Sequence, residues 1–275
     1  MLGKLLKYDL RSTWREFAGA YLAILLSVLI IPLLFRNVSN VLVSGIAGFL
    51  GVAVVIATIV VMIIMLFRIY NINVFSKEGY LTMTLPVSSP QILVSKLLIS
   101  SLWIILTGIV ALLGFFIFLL NMRAVSLTEI AVAFGEMLSF IGSNGIFAII
   151  LMIIAVILST VKEIAKLFLA CSIAHIKQLN RFRIPAGILS FFAFSWLEVF
   201  FIQFLGWFTV RFIPVKEELI PKLQQLEHTV NPSSLLELTD VFNGLMVVSI
   251  IYALVLIVAY AFGSIWILNH KLDLD

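Results

Sequence analysis

Six long apolar runs, at about residues 18–35, 41–67, 97–120, 146–175, 184–208 and 242–268, alternate with shorter polar stretches along the chain. An α-helix rises about 1.5 Å per residue and a bilayer's hydrocarbon layer is roughly 30 Å thick, so each run is long enough to cross it. The pattern predicts an all-α membrane protein, a single transmembrane domain of six helices over residues 1–275. Ahead of the first run, Leu2, Leu6, Leu10 and Phe17, helped by Leu5 and Trp14, fall on one helical face, with Lys4, Lys7, Arg11 and Arg15 on the others. Periodic apolar positions flanked by cations predict an amphipathic interfacial helix over residues 1–17, not a signal peptide, whose apolar residues would form one block.

Composition agrees with the pattern: 63% of residues are hydrophobic and 12% are charged, outside the soluble range. The formal net charge of +4 is explained by topology, not by nucleic-acid binding. Six spans place both termini on one side. That side collects Lys4, Lys7, Arg11, Arg15, Arg68, Lys77, Lys96, Lys177, Arg181, Arg183 and Lys271, against Arg36, Arg123, Arg211, Lys216 and Lys222 on the other. Eleven against five predicts cytoplasmic termini, a cytoplasmic segment 68–96, and outer segments 121–145 and 209–241. The outer segments gather acids, among them Glu129, Glu217, Glu218 and Asp240, and are expected to form short helices over the outer face. The single cysteine, Cys171, excludes an internal disulfide framework and reads as a small buried side chain.

The most specified polar stretch is residues 68–96. It carries Lys77 and Glu78, then Gly79 and Tyr80, then an apolar run closing on Leu85-Pro86. A helix start follows, with Ser88 or Ser89 able to cap and Pro90 suited to the first turn. So much local definition exceeds what a simple reversal needs, and points to a docking surface.

With the amphipathic start and six spans, residues 75–98, FSKEGYLTMTLPVSSPQILVSKLL, resemble the permease subunits of type-2 ABC transporters. The pattern shared is an acidic residue, an apolar run ending Leu-Pro-Val-Ser, and a helix start leading to a lysine at the membrane. The likeness is closest to Gram-positive permeases linked to peptide or antimicrobial export and self-protection. It implies a short cytoplasmic coupling helix between spans 2 and 3, with Glu78, Gly79, Tyr80, Leu81, Leu85 and Pro86 against the ATP-binding subunit. It also implies a separate ATP-binding protein in two copies, carrying ATP and magnesium, a second permease chain, identical or related, and residence in the cell membrane.

The chain has no GxxxxGK[ST] phosphate loop, so no ATPase site of its own is expected and no cofactor is assigned to it. It has no HExxH and no G-x-S-x-G, and Asp9, Asp240, Asp273 and Asp275 all lie outside the runs, which argues against enzymes of those kinds. Charges inside the runs are the remaining candidates. Glu198 lies near the middle of the fifth run; Lys162, Glu163 and Lys166 lie in the fourth, which at 1.5 Å per residue reaches roughly 45 Å. Lys162 and Lys166 share a helical face. If the fourth run is centred in the bilayer, Glu198 pairs with one of these lysines and lines or gates a substrate path. Otherwise the lysines sit at the headgroups and Glu198 is neutral or hydrogen-bonded inside the bundle. Two further functions stay open: a non-transporting membrane sensor or immunity protein, and a secondary transporter, though no inverted repeat or broken helix is apparent.

Overall fold

The computed structural model describes residues 2–37, 41–75, 88–121, 126–176, 182–212 and 232–270. They form six helices: α1 (Leu2–Asn37), α2 (Val41–Phe75), α3 (Ser89–Asn121), α4 (Leu127–Ala174), α5 (Arg183–Phe212) and α6 (Pro232–His270). Each contains a stretch long and apolar enough to cross a membrane. The chain is a multi-pass, all-helical membrane protein. Its described residues divide into two units, residues 1–139 and 140–273, with α4 contributing to both.

Helix ends depart from the sequence expectation in one consistent direction. The amphipathic start and the first span are one continuous helix, α1, and not an interfacial helix followed by a span. Nothing in residues 12–20 breaks the backbone ladder, and Pro32, the helix's one interior proline, comes fifteen residues after Phe17. In segment 121–145, expected to face outward, residues from Leu127 onward are the first turns of α4 itself, and the expected separate cap helix does not form. That start is fixed by a capping box: the Ser126 N–H donates to Glu129 Oε2 at 2.7 Å and the Glu129 N–H donates to Ser126 Oγ at 3.1 Å. Most of segment 209–241, including the stretch around Pro221, lies outside the described residues.

The start of α3 follows expectation. The Ser88 carbonyl accepts from the N–H of Gln91 at 2.9 Å and of Ile92 at 3.3 Å, with Pro90 in the first turn, where its missing N–H leaves no bond unmade.

Within the first unit, α1 packs against α3 and α2, and α2 touches α3. Its core joins Phe17, Ile69, Ile99 and Trp103, with Leu6, Tyr21 and Met65 around them. In the second unit, α4 turns Ile164, Ala165, Phe168 and Cys171 inward. Close approach needs small residues: a Cβ added at Gly263 of α6 would lie 3.1 Å from Leu169 Cδ1, and one at Gly187 of α5 would lie 3.4 Å from Ala174 Cβ. Large apolar side chains such as Trp196, Phe200 and Phe262 point outward, the inside-out distribution that lipid solvent favours.

Candidate functional site

The polar groups of the second unit converge on one buried ring of charge. On α4, Lys162 and Lys166 are separated by four residues and project from one face, inward, with Glu163 beside them at its edge. Lys162 Nζ lies 2.6 Å from Glu198 Oε2 of α5 and 2.9 Å from Glu163 Oε1. Lys166 Nζ lies 2.7 Å from Glu163 Oε2 and 3.3 Å from Glu198 Oε1. Two carboxylates therefore share two ammonium groups, and the ring's formal charge cancels. Cancellation is what lets four ionised side chains remain in a low-dielectric interior, because an unpaired member would carry its full desolvation cost.

Aromatic residues complete the enclosure. Tyr260 of α6 donates its hydroxyl to Glu198 Oε1 at 2.6 Å, giving that carboxylate donors from two helices. Phe194 meets the Tyr260 ring edge-on at 5.8 Å. The Lys166 ammonium sits 5.0 Å from the Phe191 ring centre and the Lys162 ammonium 5.8 Å from that of Tyr252, both within cation–π range. The ring thus ties α4, α5 and α6 at one level. Glu163 stands apart, because 46% of its side chain is exposed while Glu198 and Lys166 are buried.

A second polar cluster lies in the first unit, along the α1–α3 seam. Asp9 is buried and accepts from Lys96 Nζ at 2.6 Å through Oδ1 and from Ser95 Oγ at 2.9 Å through Oδ2. One turn on, Trp103 Nε1 donates to Thr13 Oγ1 at 2.9 Å. Phe17 then stacks on the Trp103 indole at 4.4 Å. Tyr21 donates to the Trp103 carbonyl at 3.1 Å and lies 3.0 Å from Thr107 Oγ1. Positions 9, 13, 17 and 21 are successive turns of one face, so α1 is stitched to α3 over about 18 Å. Beside the seam, Arg68 of α2 reaches Glu16 at 2.6 Å in an exposed pair.

Glu198 is thus brought together with Lys162, Glu163 and Lys166, more than 30 residues earlier in the sequence. The six positions assigned to partner contact, Glu78, Gly79, Tyr80, Leu81, Leu85 and Pro86, lie outside the described residues. Sequence reasoning missed Tyr260 and Tyr252, which sit in an apolar run as ordinary aromatics. It also missed the Asp9–Lys96 pair, placing both groups at the membrane surface. A signal was there: Asp9 is the one acid among Lys4, Lys7, Arg11 and Arg15, and with Thr13 it falls on the apolar face of Leu2, Leu6 and Phe17, not on the face of the cations. Among the described residues, no group of three His, Cys, Asp or Glu side chains is placed to hold a metal ion. No family model, curated protein or solved structure matches the chain.

Proposed function

We infer that this chain is the membrane-spanning permease subunit of an ATP-driven type-2 ABC exporter, moving a hydrophobic or amphipathic cargo such as a peptide, an antimicrobial or a lipid-like molecule. The observation that carries the reading is where the Asp9 clamp sits. Ser95 and Lys96 lie two turns into α3, directly after the segment whose pattern resembles the family's coupling element. A push on residues 76–87 enters α3 at its first turn and passes to α1 through a buried ion pair and an aromatic stack. Rigid helices fastened in this way transmit a displacement that a loose linker would absorb.

On this reading the ATP and magnesium sit on a separate ATP-binding protein, two of which join two membrane chains. Both termini and segment 68–96 face the cytoplasm, and the membrane is the cell membrane. Three of the ring's four side chains, Lys162, Lys166 and Glu198, are enclosed by protein. The ring's part is to hold α5 and α6 on α4 while the second unit moves as a body.

The test is capture of an ATP-binding protein, sought first among those encoded beside this chain. The wild-type chain, tagged and extracted in mild detergent, is expected to retain it, and the double substitution Glu78→Ala, Tyr80→Ala to lose it while still reaching the membrane. Retention by neither chain removes the exporter reading and favours a stand-alone membrane sensor or immunity protein.

A further inference from the structure

Glu163 is in the wrong place for a residue that faces lipid. It lies eleven residues before the end of the apolar stretch Gly145–Ala174, roughly 16 Å along the helix from that end. Its ring partner Glu198 lies fifteen residues, roughly 22 Å, from the Arg183 end of α5. With those two ends at the edge of a hydrocarbon layer of about 30 Å, both carboxylates fall within it. Glu163 nevertheless keeps nearly half its side chain on the outer surface of α4, each oxygen taking one ammonium and retaining acceptor capacity that points outward. Hydrocarbon offers no donor to such a group, and charged residues within spans face protein or water.

The same face carries the missing donor. Ser159, one turn before Glu163, is exposed, and Val156 before it is 61% exposed. Thr160 beside them donates its own hydroxyl back to the Val156 carbonyl, which leaves Ser159 as the outward donor of the stripe. Helical side chains lean toward the helix N-terminus, so the Glu163 carboxylate covers the turn that bears Ser159. When two parallel helices meet about a two-fold axis along the membrane normal, equal residues meet at equal height. The carboxylate of one copy then lies level with the Ser159 hydroxyl of the other, and the contact repeats reciprocally. A face holding both halves of its own hydrogen bond is what an isologous contact requires.

We propose that the Val156–Ser159–Glu163 face of α4 is the contact between two copies of this chain, with the Ser159 hydroxyl of each donating to the Glu163 carboxylate of the other. This deepens the exporter reading by saying which face the second permease covers. It does not depend on ATP coupling, so loss of the ATP-binding partner would leave it standing, and its own failure would leave that partner untouched.

Disulfide cross-linking in native membranes tests it. Cys171 is buried, so the wild-type chain serves as its own blank. Facing helices at 8–10 Å bring paired Cβ atoms on the contact stripe within disulfide reach. Under mild oxidation, Ser159→Cys and Val156→Cys are each expected to shift from single to doubled chain mass on a gel, reversibly with a thiol reductant. Trp196→Cys on α5, at an 84% exposed position, is expected to stay single like the wild type. All three positions are exposed, so folding is not at stake. A doubled band for either stripe position with none for Trp196→Cys supports the proposal. No band for either stripe position, or equal bands at all three, overturns it and leaves Glu163 facing water or another surface.

Discussion

The Asp9–Lys96 pair permits a prediction in which opposite physical arguments give opposite signs. Both side chains are about 95% buried, the N···O distance is 2.6 Å, and Ser95 adds a second bond to the carboxylate. Removing one partner strands the other charge in the interior, at a cost of about 3–5 kcal/mol. At about 1.4 kcal/mol per tenfold change, that lowers the folded-to-unfolded ratio by a factor on the order of 10² to 10⁴. In a chain of this size it lowers the melting temperature by roughly 6–20 °C. Replacing both partners removes the desolvation cost together with the attraction, and such swaps are near neutral. Asp9→Leu and Lys96→Met are therefore each expected to be severely destabilising, and the double variant to recover most of the loss. The assay is thermal unfolding of purified protein in one detergent, followed by tryptophan emission, to which Trp103 within the seam contributes. Single variants costing under about 1 kcal/mol, or a double variant as damaged as the sum of the two, would refute the buried-clamp reasoning.

Other consequences are more local. Tyr260→Phe removes one hydrogen bond to a charged carboxylate and is expected to cost about 1.5–3 kcal/mol, while Tyr252→Phe, whose hydroxyl has no hydrogen-bond partner among the described residues, is expected to change thermal stability little. Glu198→Gln leaves the ring with two ammonium groups and one carboxylate, so it is expected to lower stability more than Tyr260→Phe in the same melts, and Glu198→Gln combined with Lys162→Met to recover part of the loss. At the start of α4, the Ser126 backbone N–H, and after it the Ser126 hydroxyl, hold the Glu129 carboxyl below its ordinary value of 4.5. A carboxyl depressed on folding stabilises above its unfolded pKa and loses that stabilisation as pH falls through its folded value. Amide protection of the first turn of α4 is thus expected to fall below pH 4.5 in the wild type and to lose that dependence in Glu129→Ala, as hydrogen exchange will read. Gly263→Leu drives a side chain into Leu169 and is expected to destabilise the second unit, whereas Gly263→Ala asks only a flexible methyl to shift.

What the sequence made legible is what the bilayer enforces. A run that must satisfy every backbone group internally while facing hydrocarbon has few solutions, so the six helices could be read from apolar run length alone. For the carboxylate in the fifth run the sequence left two readings, pairing with Lys162 or Lys166 and a neutral group inside the bundle, and the pairing is the one that the structure shows. Helix ends were not legible, because outside the hydrocarbon a polar sequence can continue a helix as readily as leave it. Residues 2–17 and 127–145 both continue. The stripe of leucines in α1 read as a membrane-lying face, whereas Asp9, Thr13 and Phe17 on that same face are buried against protein, with Leu6 beside Phe17. In a membrane the protein-facing side also carries the polar groups, so a stripe judged by its leucines alone hides them. Tyr260 was out of reach for a different reason: in an apolar helix only tertiary contact distinguishes a tyrosine that bonds a carboxylate from one that fills space.

The measurement that bears most directly on the exporter reading is ATP hydrolysis, in liposomes with and without this chain, by the ATP-binding protein that the reading requires as its partner. The account predicts a rate that rises when the wild-type chain is present, and a rise abolished by Glu78→Ala, Tyr80→Ala in membranes holding equal amounts of protein. A rate unchanged by the wild-type chain would contradict it.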